Sequence, residues 1–143
     1  MTSQKEKLNQ IVQQYALDII YAFGSRAKDV EECLATEGIK IFVSPLSDVD
    51  IGVKPSAGTS LSIKDKVHLG MAFESLLNVN RVDLVVMPEA DPFLAANIIR
   101  GERIYCKDEY EADEYDLYIL RRAGDLIPLE REKISLIMKE NNQ

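Results

Sequence analysis

Asp48 and Asp50 stand two residues apart in "SPLSDVDIGVK", at the head of an otherwise apolar run. In an extended chain Val49, Ile51 and Val53 alternate with Asp48, Asp50 and Gly52, so both carboxylates share one face and the β-branched residues take the other. Same-face neighbours sit roughly 6 to 7 Å apart, where two ionised carboxylates repel by about 2.5 kcal/mol at an effective dielectric of 20. Two readings fit this pair by itself. A hard divalent cation such as Mg²⁺ would turn the repulsion into attraction. Alternatively, the acids form the solvated face of an edge strand and discourage edge pairing.

Two further segments favour the cation. "YAFGSR" ends an apolar run in Gly24-Ser25 and opens a helix, a geometry that turns free backbone N–H groups toward an anion. Gly24 permits a tight turn with close approach of a phosphate, and the Ser25 hydroxyl can donate to it. Arg26 reads equally as a phosphate contact or a solvated helix residue. "RVDLVV" then puts Asp83 among Val and Leu, where an acid is costly unless paired or metal-bound. Three acids on strands beside a phosphate-binding turn suit a two-metal site. One cation would hold a triphosphate while the other serves in-line displacement at the α-phosphate.

These residues need a scaffold, and periodicity outlines it. Helices are predicted over 4–15, over "GSRAKDVEECLAT" and over 60–77, the last with Ile63, Val67, Met71 and Phe73 among its apolar positions. Strands are predicted over Leu17–Phe23, over the D-x-D run, and over Arg81–Met87. "EGIKIFVSPL" is the least defined segment. "DPFLAANIIRG" reads as a helix with Asp91 as N-cap and Pro92 at its first position. "RIYCK" reads as an edge strand. From Asp108 the pattern is helical, with a break expected where Gly124 and Pro128 fall. The result is an α+β domain: a small mixed β-sheet with helices packed on it and a short helical tail. At 143 residues it reads as a single domain, with a core over about 16–107 and the tail over 108–143.

Composition bounds the partners. The formal net charge of −7 makes a free nucleic-acid backbone an unlikely ligand and suits a basic protein or a small charged substrate brought in with metal. The polar start lacks the pattern of a secretory signal and no apolar run is long enough to span a bilayer, so cytoplasm without membrane attachment is expected. Cys33 and Cys106 read as small buried hydrophobes, and His68 as a surface or satisfied core residue. Tyr110, Glu114 and Leu117 share a helix face suited to packing or partner contact.

"FGSRAK…SDVDIGV…VDLVV" resembles the minimal nucleotidyltransferases of the DNA polymerase β superfamily. "GERIYCKDE" and "RAGDLIPLERE" are similar to members that act as antitoxins to HEPN-domain ribonuclease toxins. The resemblance implies a palm-like fold, ATP as donor and Mg²⁺ as cofactor. It also implies transfer of AMP to a tyrosine of the partner toxin; whether the chain forms a homo- or hetero-oligomer is left open by the sequence. By position, Gly24 and Ser25 would hold the phosphates, with Arg26 and Lys28 nearby. Asp48 and Asp50 would ligate the metals and Asp83 would be the third carboxylate. Two departures stand out. Lys28 and Asp29 replace the family's usual Arg-Gly, losing bidentate phosphate geometry. "EECLATEGIKIFV" looks like an insertion, which would fold over the site or extend the sheet through Ile39, Ile41 and Val43. A catalytically weak antitoxin that only masks its toxin is the alternative. Transfer to a small molecule would call for a larger second domain.

Overall fold

The computed structural model describes residues 3–35 and 48–141. Four strands, β1 (Leu17–Phe23), β2 (Val49–Pro55), β3 (Val82–Val86) and β4 (Glu102–Cys106), form one sheet in the order β3-β2-β1-β4. β1 runs antiparallel to β2 and to β4, whereas β2 and β3 are parallel. The parallel pair is joined by a crossover through α3 (Ile63–Leu77), as such a connection requires. The sheet is therefore mixed, as expected.

Strand alternation gives the sheet two faces. Ile20, Ala22, Ile51 and Val53 join one core with Ile11 of α1 (Gln4–Tyr15), Val30 of α2 (Ala27–Ala35) and Phe73 of α3. Ile19, Tyr21 and Phe23 join a second core with Ile98 of α4 (Pro92–Ile99) and Ile119 of α5 (Glu109–Asn141). Gly52 lies under this second layer: a Cβ there would come 2.8 Å from Ile98 Cγ2. The residue is small because α4 crosses close above it.

Helix ends follow local chemistry. The Ser3 side chain accepts from the Glu6 N–H, and Ser62 with Asp65 closes a capping box on α3. Asp91 accepts from the Phe93 and Leu94 N–H groups ahead of Pro92, as predicted.

Several expectations are corrected. α5 is one helix of 33 residues with no break at Gly124 or Pro128. The carbonyl that Pro128 leaves unbonded belongs to Gly124, which is exposed, so water can satisfy it. The tail is long rather than short, near 50 Å at about 1.5 Å per residue. On α3, Phe73 is buried, but Ile63, Val67 and Met71 face solvent. Its core contacts come instead from Leu69, Leu76 and Leu77 on the other side of the helix. Tyr110 and Leu117 are exposed rather than packed; Cys33 is buried as expected, whereas Cys106 is only half-buried. His68 is at the surface. Glu31 to Ala35 belong to α2, while Ile39, Ile41 and Val43 lie outside the described residues.

Candidate active site

Asp50 is the centre of the acidic group. Its Cα pairs with Phe23 across the antiparallel side of β2 and with Asp83 across the parallel side. The end of β1, the start of β2 and the start of β3 thus meet at one end of the sheet. Asp48 sits just before β2 and is exposed; Asp50 and Asp83 are half-buried. The Asp50 carboxyl is held above the usual carboxylate range, first by partial burial, then by the charges of Asp83 and Asp48. Both other predicted acids therefore act electrostatically on Asp50.

Gly24 completes this arrangement. It turns at φ +76°, in the left-handed region, and a Cβ there would run into Asp50 Oδ2. Glycine thus serves the turn and also makes the seat for the Asp50 carboxylate, a role that nothing local in the sequence assigns. Gly24 to Arg26 form a short 3₁₀ turn leading directly into α2. Ser25 is exposed on this turn, and Arg26 Nη1 donates to Asp29 Oδ2 at 3.0 Å. Lys28 is exposed on α2 near Glu31, whose carboxyl is raised by a hydrogen bond with Glu102.

Two features are not anticipated by the sequence. Arg81 Nε pairs with Asp83 Oδ1 at 3.1 Å at an exposed position. Its spacing of two from Asp83, just ahead of β3, is the available signal. The second is a polar chain under α5: the Tyr21 hydroxyl donates to Asp116 Oδ1 at 2.5 Å, and Arg103 bridges Asp116 and Asp113. Burial, then Asp116, holds the Tyr21 hydroxyl far above its ordinary pKa, so it stays a donor. These partners are 95 residues apart in the chain, beyond the reach of local pattern.

The donor set fits a hard divalent cation. Its ligands are all carboxylate oxygens, and the mutual charge that raises Asp50 is what such an ion would relieve. Among the described residues no three such groups are already as close as a formed metal centre holds them. Asp83 would have to exchange Arg81 for the ion, a small cost because exposed pairs are worth about 1 kcal/mol or less.

The polymerase β nucleotidyltransferase model matches residues 6–110. The chain belongs to this family. Among solved structures, a toxin–antitoxin complex with AMP-PNP matches at 18% identity and a TM-score of 0.69, over 94% of this chain and 98% of that one. The toxin–antitoxin MntA–HepT matches at 17% identity and a TM-score of 0.66, over 94% and 97%. An MNT antitoxin in complex with tri-AMPylated HEPN toxin from Shewanella oneidensis matches at 17% and 0.66, over 94% and 96%. At these identities the likeness is one of fold. No curated protein matches. Among the described residues, no helix is long and apolar enough to cross a membrane.

Proposed function

We propose that this nucleotidyltransferase moves AMP from ATP to a tyrosine hydroxyl of a HEPN-type toxin and so serves as its cytoplasmic antitoxin, working as a single domain. The observation that carries the reading is the in-register pair Asp50–Asp83, with Asp48 beside it and Gly24 packed against Asp50. Similar folds with AMP-PNP bound and with an AMPylated HEPN partner support the choice of donor and acceptor.

In this reading the 3₁₀ turn holds the triphosphate through Ser25 and backbone N–H groups freed by the sharp turn at Gly24. Lys28, with Arg26 once it leaves Asp29, adds positive charge beside the phosphates. Asp48, Asp50 and Asp83 hold Mg²⁺, which when bound supplies neutralisation of the phosphate charge. Asp83, in register with Asp50 on β3, takes the phenolic proton. The tyrosine oxygen bonds to the α-phosphorus, the bridge to the β-phosphate breaks, and pyrophosphate leaves. A masking antitoxin with a weak site is the second reading, favoured by the Arg26–Asp29 pair, which occupies a phosphate-binding candidate.

Intact mass spectrometry decides between them. The chain is mixed with its HEPN-type toxin, ATP and Mg²⁺, next to an Asp48→Asn control. An AMP-sized adduct on the toxin that the control lacks is expected. A tight complex with no adduct under any nucleotide would leave only masking.

A further inference from the structure

α5 outruns the body it packs on. Its start lies beside Asp18 and Ile19, and Asp116 meets Tyr21, so the helix travels along the sheet toward the carboxylate end. Ala112, Ile119 and Ala123 form its buried stripe. At 100° per residue, Ile134 and Ile137 fall within about 40° of the Ala112 line and Met138 within about 80°. The core-facing stripe therefore continues, yet these three side chains are 50%, 51% and 61% exposed. Ile134 stands about 16 Å beyond Ala123 along the helix. The stripe thus runs past the end of the sheet at which β1 finishes and Asp50 and Asp83 lie.

We propose that Ile134, Ile137 and Met138 form a docking arm for the protein that carries the acceptor hydroxyl, and that a basic surface with an apolar helix face covers them. The proposal rests on the transfer reading above. A second copy of this chain fits the place poorly, because two chains of charge −7 repel. A basic partner is drawn by that charge and by Glu109, Glu111 and Glu114 at the start of the same helix. Holding the partner here turns the attack of its hydroxyl into a local event, which is how docking contributes to rate.

The test uses the full chain and its HEPN-type toxin in titration calorimetry, together with transfer kinetics. Ile134→Asp with Ile137→Asp is expected to weaken toxin binding at least ~100-fold. The KM for toxin should rise while kcat at saturating toxin stays within about threefold. Unchanged affinity overturns the proposal. So does a fall of the isolated chain from dimer to monomer in light scattering with toxin affinity intact, since the stripe would then belong to a second copy. Asp50→Asn keeps the two readings apart, because it should abolish transfer and leave binding unchanged. If the wild-type chain binds without transferring, loss of binding in the arm variant upholds the arm and refutes the transfer. Should the double variant lose its helix, hydrogen exchange of residues 134–138 in the wild-type complex answers the same question: protection upholds docking, and unchanged exchange overturns it.

Discussion

Neutralising Asp50 should stabilise the metal-free protein while removing its activity. Neighbouring strands lie about 4.8 Å apart, which would put the in-register Asp50 and Asp83 carboxylates about 5.5 Å from each other. At an effective dielectric of 20 their repulsion is about 3 kcal/mol, and Asp48 at about 7 Å adds roughly 2 kcal/mol. Solvent at these half-exposed positions and the Arg81 partner of Asp83 reduce the sum, leaving about 1 to 2 kcal/mol. Because the Asp50 carboxyl is raised, the folded state binds more protons than the unfolded state just above the ordinary aspartate range. Stability therefore falls as pH rises through that window and stays lower above it. Asp50→Asn removes the loss, so in EDTA and low salt at pH 7.5 the variant should melt about 4 °C above the wild type. The gap should close at low pH, where the wild-type carboxyl is protonated. Mg²⁺ should raise the wild-type melting temperature by mass action and barely move the variant. Scanning calorimetry across pH, with and without Mg²⁺, reads all three. Should Asp50→Asn melt at or below the wild type in EDTA at pH 7.5, the acids are not in mutual repulsion; an equal Mg²⁺ shift in both proteins would remove Asp50 from the ligand set.

Gly24→Ala should cost about 1 to 2 kcal/mol in left-handed backbone strain and displace the Asp50 carboxylate that its Cβ would strike. A drop in single-turnover transfer of roughly 100-fold, with circular dichroism unchanged, is the expected outcome. Tyr21→Phe leaves Asp116 without its buried donor. It should lower stability to urea by about 1 to 2 kcal/mol and speed hydrogen exchange in the first half of α5.

The elements that position the acids are readable because their signals are local. Seven alternating or apolar residues from Leu17 mark β1, and Asp91-Pro92 marks the start of α4 through cap chemistry alone. The D-x-D spacing likewise fixes a shared face without any tertiary contact. What escapes depends on the third dimension. Asp83 reads as an acid in an apolar strand, but only strand pairing shows that, among the described residues, β3 ends the sheet and that Asp83 registers with Asp50. Ile63, Val67 and Met71 carry a helical apolar repeat, and no periodicity says which of two apolar sides of α3 meets the core. The expected break at Gly124 and Pro128 fails because solvent exposure, invisible in sequence, decides whether an unbonded carbonyl is tolerated. Gly24 reads as a phosphate contact, and its further part, leaving room for the Asp50 carboxylate of β2, has no local signal.

The Tyr21–Asp116 bond also acts as an indexing pin. A helix that slips by one residue against a sheet advances about 1.5 Å and rotates by about 100°. Small apolar contacts such as Ala112 and Ala123 would resist that slip weakly, but a hydroxyl paired with one carboxylate admits a single register. The facing of everything farther along α5 is therefore set near its base, and an error of one residue there would turn the stripe of Ile134 and Ile137 by about 100° to a different side of the helix.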